Sequence, residues 1–94
     1  MDDPILVLED DDLVVMYVVG RGNSAMTVFS QDLRHNLAGA LGAINQIVPD
    51  ARVRYRPAQG KTAAHVIVNF GGEVNADIRR AYAGAFVEAI KLLG

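Results

Sequence analysis

The spacing of apolar residues switches between strand-like and helix-like along this chain. Ile5-Leu6-Val7-Leu8 and Leu13 to Val19 are runs rich in β-forming residues, separated by the acidic segment Glu9 to Asp12. They predict two strands joined by a turn, a place where aspartate is well tolerated. Gly20 to Ser24 reads as a loop, and Ala25 to Phe29 as either a short strand or an extended approach to a helix. Leu33, Leu37, Leu41, Ile44 and Val48 then recur at helical intervals. Ser30 stands where an N-cap belongs, Asp32 suits the positive end of the helix dipole, and Pro49 stops the helix.

The pattern then repeats in kind. Arg52-Val53-Arg54-Tyr55-Arg56 alternates strictly, as a strand with one wet face does. Pro57 to Lys61 is a turn, Ala64 to Phe70 alternates again, and Gly71-Gly72 ends that strand. Asn75 caps a second helix with Ile78, Tyr82, Ala85, Phe86, Ala89, Ile90 and Leu93 on one stripe. At a constant offset of 45 residues, Phe29 to Leu41 aligns with Val74 to Phe86, with five identities that include an Ala-Gly-Ala triplet. The predicted fold is therefore α+β, a ββα-ββα pseudo-repeat in one domain, with units 1–48 and 49–94. Neither unit buries its apolar surface alone. Side by side they make a four-stranded antiparallel sheet, five-stranded if Ala25–Phe29 joins it, with two helices packed on one face.

Composition narrows the class. Ninety-four residues make one small domain, and the absence of cysteine excludes a disulfide scaffold and thiolate metal sites. The acidic start, with Asp2 and Asp3, lacks the basic and apolar regions of a signal peptide. The longest apolar run, Leu13 to Val19, falls well short of the roughly 20 residues of a membrane span. Together these point to a soluble, cytoplasmic protein. An apolar fraction of 51% is high for so small a core, and Leu13 to Val19 is apolar on both faces. Both features predict a homo-oligomer, unless Ala25–Phe29 or the N-terminal residues fold over that strand. Gly39, Gly42 and Gly84 interrupt helices at about 1 kcal/mol each, which predicts a close helix–helix approach or a smooth subunit flank.

Charge supplies the candidate site. Residues 1–12 hold six acids and no base, while residues 13–94 hold nine bases and five acids. Arg52, Arg54 and Arg56 must share one strand face, with His65 and Asn69 opposite across the hairpin and Lys61 in its turn. Such a row guards a sheet edge against aggregation, or binds anions. Arg21, between two glycines, could add to it as an anion nest without the Walker or Rossmann spacing. The acidic run could neutralise the arginines within the chain or on a neighbouring subunit, and it does not match an EF-hand loop.

The expected function is a small non-catalytic binding or regulatory module. It would act as a homo-oligomer and present the arginine strand to an anionic ligand or an acidic protein. Two alternatives are nucleic-acid binding through the same strand and a small oligomeric enzyme with an inter-subunit histidine, His35 or His65. The first is opposed by the acidic net charge and by the lack of a stacking aromatic on the arginine side. The second is opposed by the lack of a nucleophile or metal-spacing motif. No cofactor, metal or membrane partner is implied.

Overall fold

The computed structural model describes residues 4–20, 22–31 and 33–93, the Arg34 side chain excepted. Asp2, Asp3, Arg21 and Asp32 lie outside the described residues. Five strands form one antiparallel sheet: β1 (Ile5–Asp10), β2 (Leu13–Gly20), β3 (Asn23–Phe29), β4 (Arg52–Arg56) and β5 (His65–Asn69). Their order across the sheet is β1-β2-β3-β5-β4. A 3₁₀ turn, Leu33–Asn36, leads into α1 (Leu37–Ile47), and α2 spans Ala76–Leu93. The two helices pack on each other and on one sheet face, α2 over β1 and β2, α1 against β4. The smallest dimension, 21 Å, is that of two layers.

Strand alternation assigns the faces. Leu13, Val15 and Tyr17 of β2 point to the helices, as do Ser24, Met26 and Val28 of β3 and Val66 and Val68 of β5, and all are buried. Leu33, Ala40, Ile44, Ala83, Phe86 and Val87 close the core from above. Phe70, Tyr82 and Phe86 stack in series, with ring centroids 5.4 and 5.9 Å apart. Tyr17 is fully buried, and its hydroxyl accepts from the Val74 amide (3.0 Å) and donates to the Val74 carbonyl (3.4 Å). The Arg79 guanidinium lies over its ring at 4.5 Å. Ser24, also buried, donates to the Gly72 carbonyl, and the Phe70 amide donates to the Ser24 carbonyl at 2.9 Å.

Several expectations change. Ala25–Phe29 belongs to a full strand, so the sheet has five strands and the first half contributes three of them. Ser30 does not cap α1. Its amide donates to the Ala64 carbonyl, its hydroxyl to Asp12, and the helix begins seven residues later, at Leu37. Asn36 takes the cap, accepting from the Gly39 amide at 3.2 Å, while Asn75 caps α2 as expected, accepting from Ile78 at 2.8 Å. The shifted start rotates α1 relative to the aligned α2. Ala38 is exposed where Ala83 is buried, and Leu33 is buried where Ile78 is 40% exposed. The 45-residue alignment therefore does not carry over into burial. The α2 stripe also turns slightly, so that Ala83 and Val87 face the core.

The glycine reading changes most. A Cβ on Gly42 or Gly84 would meet nothing within 4 Å, so neither marks a close approach. A Cβ on Gly39 would come within 2.8 Å of the Asn36 Oδ1. That glycine makes room for its own helix cap.

Candidate functional site

The sheet face turned away from the helices is uncovered among the described residues. Its centre is apolar: Val14, Met16 and Val18 on β2, Ala25 and Phe29 on β3, and Ile67 on β5, all half-buried. Ala25–Phe29 lies beside β2 rather than over it, so it pairs with the apolar strand without covering it. Register defines rows across this face. One runs Glu9, Val14, Phe29, His65, Arg56, and the next runs Leu6, Met16, Thr27, Ile67, Arg54. A bulge between Leu6 and Leu8 puts Leu6 and Glu9 on this face, where an unbroken strand would have separated them.

The arginine strand is the edge of the same face. Arg52, Arg54 and Arg56 are all exposed, and none makes an ion pair among the described residues. Arg56 is directly opposite His65, and Arg52 opposite Asn69. Val53 and Tyr55 of the same strand turn inward, half-buried, against Val68 and Val66. Shallow depressions lie at both ends of the row. One, of 510 Å³, is lined by Arg56, Gln59, Thr62 and His65, and one of 290 Å³ by Asn23, Asp50, Arg52 and Asn69. The His65 Nδ1 is 3.2 Å from the Ala63 carbonyl, a contact in which Nδ1 is the donor. Its ring packs on Phe29 at 5.1 Å.

Lys61 sits at the tip of the β4–β5 hairpin, exposed, beside Gly60 at φ +58° and the paired Gln59 and Thr62. The structure thus brings Arg52, Arg54, Arg56 and His65 together along one edge, with Lys61 beyond them at the hairpin end. The segment that could hold the anion nest joins β2 to β3. Gly20 pairs with Asn23, Gly22 takes φ +73°, and Ser24 is buried. Arg21 itself lies outside the described residues.

Acidic residues occupy the other edge of the sheet. Asp11, at φ +52°, and Asp12 form the β1–β2 turn, four strands away from the arginines. Neutralisation within the chain is therefore excluded for these described acids. Asp10 instead accepts from Lys91 of α2 at 2.6 Å, and that carboxylate raises the lysine above its ordinary value of 10.5. His35, exposed on the 3₁₀ turn, belongs to the opposite layer from His65.

Alternation within Ala25–Phe29, once that segment is a strand, would have placed Thr27 and Phe29 on the open face. Nothing in the spacing announced the β1 bulge that brings in Glu9. Among the described residues no three side chains converge as a metal site, and no helix is long and apolar enough to cross a membrane. In comparisons with known proteins the chain matches no family model, no curated protein and no solved structure.

Proposed function

We propose that this chain is a non-catalytic binding or regulatory module of the cytoplasm, acting as a homo-oligomer, whose arginine edge engages an anionic ligand or an acidic protein surface. The observation that carries this reading is the row Arg52, Arg54 and Arg56. Its three exposed guanidinium groups share one face and have no ion-pair partner among the described residues. Guanidinium groups recognise carboxylate and phosphate through paired, directional hydrogen bonds. His65, Asn69 and Lys61 supply further donors along or beyond the same edge, and Arg21 is a further candidate. Tyr55 turns to the helices and offers the arginine row no stacking ring, while Phe29 shares the open face two strands away, against His65. The duplication reading draws support from the helix alignment and from β3 and β5, each the last strand before a helix, lying adjacent at the sheet centre. On that view β1 is an addition to the first copy.

The test is an NMR titration of the full chain with a polyglutamate peptide, and separately with inorganic pyrophosphate. Amides of residues 52–56 and 65–69 should shift, the affinity should fall with salt, and Arg54→Glu should abolish the shifts. Arg54 is exposed, so the variant should keep its stability within about 0.5 kcal/mol. Unchanged spectra with both probes would overturn the reading.

A further inference from the structure

The open sheet face carries its own complement. Its middle is apolar, one margin is the arginine row and the other holds Glu9. Apolar surface left on one side of an antiparallel sheet calls for a cover, and the molecule is two layers thick. Resting on the reading above, we infer that the acidic surface met by the arginine edge is a second copy of this chain, stacked face to face through the open side of the sheet.

Charge selects the orientation. Consider a twofold axis between two stacked sheets. If it runs across the strands, β4 lies over β4 of the partner, and six arginines crowd one margin. If it runs along the strands, β4 lies over the partner's β1. The strand order is β1-β2-β3-β5-β4, so the central strand β3 lies on that second axis. Each row then overlies its own reverse, apart from the roughly 30° rotation usual for aligned sheets. Glu9 of either copy comes over Arg56 of the other, Phe29 meets Phe29, and Met16 meets Ile67. The dimer gains two symmetry-related Glu9–Arg56 pairs flanking an apolar centre, an isologous and closed arrangement.

Size sets the strength. Stacked sheets lie about 10 Å apart, a gap that an arginine and a glutamate reaching from opposite sides can bridge. Five strands at about 4.8 Å and six residues at about 3.3 Å give a footprint of roughly 480 Å² on each copy. That is below the usual size of a permanent interface, so the dimer should be reversible and concentration-dependent.

Sedimentation equilibrium of the full chain over a wide concentration range tests this, with circular dichroism to confirm folding. A monomer–dimer equilibrium is expected. Arg56→Glu or Glu9→Arg alone should weaken it by about tenfold, because each change places like charges at two symmetric positions. The exchange Glu9→Arg with Arg56→Glu should restore it to within about threefold, since it recreates the pairs. Met16→Glu should abolish it. A strict monomer would overturn the inference. So would a dimer indifferent to Met16→Glu, or one that the charge exchange fails to restore. Polyglutamate binding measured on the same samples separates the two levels. A monomer that binds the peptide through Arg54 refutes the dimer and leaves the anion-binding role intact, whereas a monomer that binds neither probe refutes both.

Discussion

Alanine at the three helical glycines should give different results for the same chemical change. Glycine in a helix interior is about 1 kcal/mol worse than alanine. At Gly42 and Gly84 the added methyl meets nothing within 4 Å, so no steric cost offsets the gain. Each substitution should stabilise the fold by about 0.5–1 kcal/mol, or roughly 2–8 °C in Tm for a domain of this size. At Gly39 the methyl would stand 2.8 Å from the Asn36 Oδ1 and 3.0 Å from its Cγ. The asparagine could rotate away, but the cap bond to the Gly39 amide would go with it, a loss of about 1 kcal/mol. Gly39→Ala should therefore bring no net gain. In an Asn36→Ala background the cap is already absent, and Gly39→Ala should recover its stabilising effect. Urea denaturation followed by far-UV circular dichroism, with an unchanged m-value, measures all of these. Destabilisation by more than about 1 kcal/mol at Gly42 or Gly84 would refute the reasoning. It would show that the smooth flank is buried against another surface, such as a partner subunit on the helix side.

Tyr17→Phe should lower stability by about 1–2 kcal/mol, because the Val74 amide and carbonyl lose their partner in a half-buried segment; thermal denaturation reads this, and a neutral result would mean that water replaces the hydroxyl. The Lys91–Asp10 pair should show in the alkaline limb of stability. Its folded-state lysine is raised above 10.5, mainly by the hydrogen bond to Asp10, so its contribution is complete below that pH and is lost as pH rises through the folded value. Melting curves of the wild-type chain and Asp10→Asn should converge above pH 10.5, and curves that stay parallel there would rule the linkage out. Ser24→Ala should also destabilise, leaving the Gly72 carbonyl without its donor, by about 1 kcal/mol in the same urea assay.

Local pattern carried much of the architecture. Strict alternation in Arg52 to Arg56 and in Ala64 to Phe70 set both the strands and their faces, because side-chain direction along a strand has a period of two. The eight residues between these strands, 57–64, left their register open, and the structure set Arg56 opposite His65 and Arg52 opposite Asn69. The start of α1 was less legible. Ser30 and Asn36 are both good caps; Asn36 takes the role, while Ser30 is held at the end of β3 by donating to the Ala64 carbonyl and to Asp12. Such a competition is tertiary, and spacing does not reveal it.

That the three arginines share one face was therefore determined by sequence alone. Three charged side chains at alternate positions of a strand can share one face and no other. What that face belongs to was decided only in three dimensions. Strand order put the acidic turn at the far edge, so Glu9 to Asp12 and the arginine row of one chain cannot meet. A single bulge in β1 turned Glu9 onto the open face. The pairing of Ala25–Phe29 beside β2, instead of over it, left the apolar centre of that face uncovered. These are long-range outcomes of backbone hydrogen bonding and core burial summed over the whole sheet, and no short stretch of residues encodes them.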